Sequence, residues 1–162
     1  MMKLENGKFY FIKDNYFKIV NDKSLLLNKD NGNKRPCYYC ISDDNNKGIY
    51  WLIPISSKVD KYKKIYKYKL YKYGKVDTLV FGKVNNNLKA FLIQNMFPIT
   101  EKYIAEKYVR NNTDVEITYT LKKEIDIKAK FILSLAERGK NVLFTDIIRI
   151  KKILLDEIKN NN

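Results

Sequence analysis

The chain has 162 residues, 45% of them hydrophobic, which is enough for one domain with a substantial core. It carries 32 Lys and Arg against 18 Asp and Glu, a formal charge of +14, and no histidine. The missing imidazole excludes a Ser-His-Asp triad, a His-based nuclease pair and a His-ligated metal site, so any general acid or base is Lys, Tyr, Asp, Glu or a hydroxyl. The positive charge favours a nucleic-acid partner, because each phosphate neutralised releases condensed counterions. The abundance of Lys, Asn, Ile and Tyr is also what an AT-rich genome writes, and part of the basicity then carries no function. No run of about eighteen apolar residues is present to span a membrane, and MMKLENGKFYFIKD lacks the unbroken apolar core of a signal peptide. A cytoplasmic protein with no membrane partner is expected.

In chain order, KFYFIK predicts a short strand over 9–12, and residues 15–20 a helical turn. KDNGNK, 29–34, reads as a turn or loop. Two apolar runs, 36–41 and 49–53, flank SDDNNKG and predict a β-hairpin. Within the first, Cys37 and Cys40 form CYYC; without histidine or further cysteine this is core packing rather than half a zinc or redox site. From 60 to 75 runs DKYKKIYKYKLYKYGK. At helical spacing Tyr62, Ile65, Tyr66, Leu70 and Tyr73 share a face; at strand spacing Tyr66 and Tyr68, then Tyr71 and Tyr73, alternate with lysine, and both periods fit.

A second hairpin follows, 79–84 and 88–94 joined by NNN, with MFPI at 96–99 as a short edge or bend. From 115 to 138 apolar positions recur at helical intervals, with Gly139 as the C-cap; Thr145 with Asp146 begins a last helix through Ile158, after which the terminal NNN frays. The expected architecture is α+β, a small antiparallel β-barrel or strongly bent sheet over about residues 1–112, with C-terminal helices over about 115–158, in a single domain.

Pairing the first hairpin antiparallel brings the start of one strand beside the end of its partner, so Lys34 and Arg35 are expected near Ser56, Ser57 and Lys58. Cations and hydroxyls so placed suit metal-free RNA cleavage, which requires a deprotonated 2′-hydroxyl, a stabilised phosphorane and a protonated leaving oxygen. Lysines crowded by like charges have depressed pKa values, so Lys34 or Lys58 can exchange a proton. The plainer reading makes the serines strand-end turn residues and the cations solvated.

KRPCYYCIS followed by WLIPISS resembles the MazF/Kid toxin ribonucleases. There an Arg-Pro leads into a core strand and a Pro-[Ile/Leu]-[Ser/Thr]-[Ser/Thr] segment lies in the cleaving groove. KFYFIKDNYFKIV, PISSK, AFLIQNMFPIT and the helical C-terminus together resemble more closely the ToxN/AbiQ family, including its CptN branch, the toxins of type III toxin–antitoxin systems. The resemblance implies an SH3-like barrel with added helices and a metal-independent, cofactor-free endoribonuclease leaving 2′,3′-cyclic phosphate and 5′-hydroxyl ends. It also implies cellular or phage mRNA as substrate, a role in phage defence, and inhibition by a repetitive pseudoknotted antitoxin RNA that the toxin processes. Assembly into closed rings of alternating toxin and RNA, three of each in several cases, follows from the same source. By residue, the hydroxyl pair falls on Ser56 and Ser57, and the cation at the start of the strand on Arg35 or Lys34. Lys58 follows Ser57 directly, where many members have a proline between. LNKDNGNK offers no tyrosine ahead of the cation, so a tyrosine taking part in proton transfer would be Tyr10 or Tyr16, both of which are also expected to contact RNA.

The Lys/Tyr tract just after this motif is placed to hold RNA through Lys61, Lys63, Lys64, Tyr66, Lys67, Tyr68, Lys69 and Lys72, lysines on phosphates and tyrosines on unpaired bases. One tyrosine face packed in the core is the competing reading. A non-catalytic RNA-binding module is the alternative to the enzyme.

Overall fold

A computed structural model describes residues 2–25, 29–30 and 33–162, with the side chains of 29, 30 and 33 outside the description. Strand β1 (Phe9–Ile12) leads to helix α1 (Asp14–Val20), then to two short strands, β2 (Lys29–Asp30) and β3 (Asn33–Lys34), which pair antiparallel. The turn expected over KDNGNK is consistent with that pairing, although 31 and 32 lie outside the described residues. The expected hairpin follows as β4 (Cys37–Ser42) and β5 (Tyr50–Ser56), with Cys37 opposite Pro54.

CYYC is buried on both sides. Cys37 and Tyr39 join one core with Tyr10, Ile12, Tyr16, Leu52 and Leu154, while Tyr38 and Cys40 join another with Phe9, Trp51, Ile53 and Phe91. The two-residue period of a strand sends alternate side chains to opposite faces, and both faces of this sheet are covered. Both thiols are free and buried; burial pushes the Cys37 thiol up to about 12, so it stays protonated and unreactive.

The Lys/Tyr tract is helix α2 (Val59–Tyr73). Gly74, at φ 79°, takes the left-handed cap conformation and its amide donates to the Leu70 carbonyl, which ends the helix. Tyr62, Ile65 and Tyr66 pack onto the next hairpin, β6 (Leu79–Val84) and β7 (Asn87–Leu92). The NNN turn has Asn85 and Asn86 at φ 52° and 66°, the pair of positive values that a two-residue hairpin turn with the right twist requires. After Leu92 one 3-10 turn, Ile93–Asn95, redirects the chain into β8 (Phe97–Ile99), which pairs with the first half of β5 while β7 pairs with its end.

Strand β9 (Ile104–Lys107) pairs with β1, and β10 (Val109–Arg110) with β11 (Thr113–Asp114). The polar stretch 101–114 had given no strand signal in the sequence. The main sheet runs β6-β7-β5-β4-β1-β9, with β8 beside β5, all antiparallel. It is an open sheet: among the described residues, β6 and β9 do not pair to close it.

Two helices complete the α+β fold. Helix α3 (Tyr119–Glu137) starts later than the periodicity suggested, because the Thr118 hydroxyl caps it by accepting from the Leu121 amide. Gly139, φ 87°, closes it as expected. Helix α4 (Ile147–Asn160) is capped by Asp146, which accepts from the Arg149 amide at 3.2 Å, and runs two residues beyond Ile158. Asp43 fastens α4 to the sheet: it meets Lys151 Nζ at 2.7 Å and accepts from Trp51 Nε1 at 3.1 Å. No helix is long and apolar enough to cross a membrane among the described residues.

Candidate functional site

The strand pairing brings Arg35 across from the end of β5, and its Nη1 donates to the Ile55 carbonyl at 2.8 Å. With Arg35 only 8% exposed, this guanidinium is a buried positive charge held at the residue just before the serine pair.

The serines diverge. Ser56 is 2% exposed, and its Oγ accepts from the Lys58 amide at 3.1 Å, an ST-turn that steers the chain from strand into helix. Ser57 is exposed and lines a groove of about 460 Å³ with Phe11, Lys34, Ile55, Lys89, Tyr108 and Arg110. Lys58 is exposed, directly precedes α2, and is outside the groove lining.

Lys34 is in the groove, but its neighbour is an opposite charge rather than a crowd of like ones. Its Nζ is 3.2 Å from Glu106 and 5.7 Å from the centre of the Phe11 ring. The sequence reading missed Lys89, Arg110, Asn85, Asn87, Phe11 and Tyr108, all of which line the groove. Asn85 and Asn87 belong to the NNN turn and Lys89 follows it; the turn chemistry was visible, but only the register of β7 against β5 brings this segment beside Ser57. Asn85 Nδ2 donates to the Tyr108 hydroxyl at 3.1 Å, and the Tyr108 and Phe11 rings lie 5.3 Å apart, forming an aromatic wall.

Tyr10 and Tyr16, the candidate tyrosines for proton transfer and RNA contact, are core residues. Tyr16 is 0% exposed and its hydroxyl donates to the Pro98 carbonyl at 2.6 Å; burial raises its pKa well above the ordinary value. Tyr10 is also 0% exposed, with its hydroxyl accepting from the Glu5 amide at 2.7 Å. Neither offers a ring face to a base.

Along α2, Lys61, Lys63, Lys64, Lys67, Tyr68 and Lys72 are exposed, as are Tyr71 and Tyr73. Tyr66 is half-buried, edge-on to Phe81 at 5.7 Å. Lys69 is half-buried too, donating to Thr78 Oγ1 at 2.9 Å and Gln94 Oε1 at 3.2 Å, and desolvation lowers its pKa. The docked face is therefore 62, 65, 66 and 69, with Lys69 where the helical pattern had put Leu70, which is 45% exposed.

Among the described residues no group of three or more Cys, Asp or Glu side chains is placed to hold a metal ion. The groove offers cations, a hydroxyl, side-chain amides and aromatic faces, the set that binds a phosphodiester and the bases beside it.

This fold is found in two solved proteins of type III toxin–antitoxin systems. It is similar to the solved structure of AbiQ, a lactococcal anti-phage endoribonuclease of the type III toxin–antitoxin system, with TM-score 0.70 and 13% identity over 94% of this chain and 99% of that one. It is similar also to a solved structure from a bacterial type III system in which the toxin is selectively inhibited by a non-coding RNA pseudoknot, with TM-score 0.64 and 16% identity over 94% and 98%. No family model matches the chain, and no curated protein matches it. At these identities the likeness is one of fold.

Proposed function

We propose that the protein is an endoribonuclease toxin of a type III toxin–antitoxin system, cleaving RNA without a metal by attack of the 2′-hydroxyl on the adjacent phosphate. The observation that carries this reading is the gathering of Ser57, Lys34, Lys89 and Arg110 in one groove, with buried Arg35 bonded to Ile55 of the groove wall. The fold shared with an anti-phage endoribonuclease supports it.

In this mechanism the scissile phosphate lies against Ser57. The Ser57 hydroxyl donates to a non-bridging oxygen, and Lys34, Lys89 and Arg110 offset the extra charge of the phosphorane. Arg35 holds the Ile55 carbonyl of the groove wall and adds its positive field. The 2′-oxygen bonds to phosphorus as the bond to the 5′-oxygen breaks, leaving a 2′,3′-cyclic phosphate and, once that oxygen takes a proton, a 5′-hydroxyl. Lysine and tyrosine in the groove can each accept or donate a proton, which makes Lys34, Lys89 and Tyr108 the candidates for these transfers.

The inhibitor is then a repetitive, pseudoknot-forming RNA that the same groove cuts into repeats and retains, closing a ring of alternating protein and RNA. The exposed lysines and tyrosines of α2 extend the binding surface from the groove. That surface would serve a non-catalytic RNA-binding module equally well.

The test is incubation of RNA with the protein in EDTA, with analysis of product ends. Cyclic phosphate ends, and loss of cutting when the nucleotide 5′ to the break is 2′-deoxy, are expected. Binding without cutting by an otherwise native protein would favour the module.

A further inference from the structure

At the far end of α2 from the groove lies a second cleft, of about 670 Å³, between the end of α2, the segment leading into β6, helix α3 and the loop before α4. Its floor is polar and fixed. Gln94, only 5% exposed, receives Lys69 Nζ on its side-chain oxygen, its own amide donates to the Thr78 carbonyl at 3.0 Å, and its carbonyl accepts from the Phe144 amide at 3.0 Å. Thr78 accepts a second hydrogen bond from Lys69 through its hydroxyl. These bonds use two of the three N–H donors that an ammonium carries.

The walls are aromatic and open to solvent. Tyr73 is 64% exposed, Phe131 41% and Phe144 59%, and all three line the cleft. Lys75 stands over the Phe131 ring, its Nζ 4.6 Å from the centroid and 3.2 Å from Asp77, whose carboxylate also lines the cleft and which a phosphate would displace as partner. Exposed rings around a floor of ammonium, hydroxyl and amide fit a flat, polar-edged ligand, and the two lysines fit one attached to phosphate.

We propose that this cleft is a second nucleotide subsite, holding one unpaired base of an RNA strand whose scissile phosphate is in the Ser57 groove. The inference rests on the RNA-cleaving reading of that groove. The base stacks on Phe131 and Phe144, Lys69 and the Gln94 side-chain NH2 meet its edge, and Lys75 meets its phosphate. The 15-residue α2 spans about 22 Å between the two sites. Its exposed Lys63, Lys64, Lys67 and Lys72 supply charge along the way. Helix α2 thereby sets the separation between the base held and the bond cut. It also explains a lysine in the docked face of α2, where an aliphatic residue would pack with less desolvation.

The test uses two uncleavable 2′-O-methyl oligoribonucleotides, one long enough to pass along α2 and one filling only the groove. Their binding to wild type, Phe131→Ala, Phe144→Ala and Lys69→Met is measured, with 2-aminopurine scanned along the longer strand. Stacking on one ring corresponds to about 5- to 150-fold in affinity. A reduction in that range for the longer strand alone is expected, together with a quenched 2-aminopurine at one position in wild type that brightens in Phe131→Ala. Equal affinities of wild type and both Phe variants for the longer strand would overturn the subsite and leave the groove standing. No binding of either strand by wild type would remove the groove reading and the subsite together. Oligomers that fall apart in Phe131→Ala while RNA affinity holds would make the cleft a contact between copies, which also overturns the proposal. Phe131 and Phe144 are both substantially exposed, so their variants are expected to fold.

Discussion

Arg35 Nη1 donates to the carbonyl of Ile55 at 2.8 Å, so the cation at the start of β4 is clamped to the residue just before the serine pair. Arg35→Ala leaves that carbonyl without its charged donor and removes a buried charge bonded to the groove wall. A loss of roughly 2–3 kcal/mol in unfolding free energy is expected, together with a large loss of cleavage. Arg35→Lys keeps the charge but not the planar fork, and should recover stability better than activity. Denaturant melts beside cleavage rates check both.

The Asp43–Lys151 contact predicts an acid limb to stability. Burial opposes ionisation of Asp43, but hydrogen bonds from Lys151, Asn46 and Trp51 outweigh it and hold the carboxyl below its ordinary range. A carboxylate with its pKa lowered by folding contributes fully above the unfolded value of about 3.9, and the contribution fades as pH falls through the folded value. Asp43→Asn should lower unfolding free energy by about 3 kcal/mol at neutral pH and flatten the decline below about pH 4. Thermal melts between acid and neutral pH read this directly.

Gly82 sits where α3 crosses β6. A Cβ there would stand 2.2 Å from Leu121 Cδ2, so Gly82→Ala forces the Leu121 side chain out of its seat. A destabilisation of about 1–2 kcal/mol is expected, since the obstacle is a side-chain end and not backbone. Leu121→Ala in the same chain should relieve part of it, which a double-mutant cycle on stability measures.

For α2 the prediction concerns salt. Replacing Lys63, Lys64 and Lys67 by Gln should weaken RNA binding at every sequence. It should also reduce the slope of log affinity against log salt by about 2, since each single-strand phosphate that a lysine neutralises adds roughly 0.7 to that slope. An unchanged slope would mean that these lysines face only solvent. Titrations at several salt concentrations decide it.

The sequence disclosed elements wherever polarity and position alternated cleanly. The β4–β5 and β6–β7 hairpins, the core role of Cys37 and Cys40, and both C-terminal helices follow from apolar periods bounded by Asn, Gly and Asp. The tract 60–75 did not resolve, because Tyr and Lys are each apolar along the body and polar at the tip and fit either period. Docking of Tyr62, Ile65 and Tyr66 on β6 and β7, and the Gly74 cap, decided for helix.

The site was half legible for the same reason. Antiparallel pairing sufficed to place Arg35 and Lys34 by the serines. Lys89, Tyr108 and Arg110 come from strands remote in sequence, and no local pattern marked them. Tyr10 and Tyr16 were misplaced because an aromatic in a short strand or helix reads the same whether it faces core or solvent.

The most direct measurement is single-turnover cleavage of one RNA in EDTA by wild type, Ser57→Ala and Ser56→Ala, each with its melting curve. Ser57 faces the groove and Ser56 holds the turn. Ser57→Ala should keep its melting temperature and fall at least about a hundredfold in rate, the scale of removing one donor to the developing charge. Ser56→Ala should lose about 1 kcal/mol of stability and retain most of its cleavage while folded. Equal cleavage by wild type and Ser57→Ala would contradict the placement of the reaction in this groove.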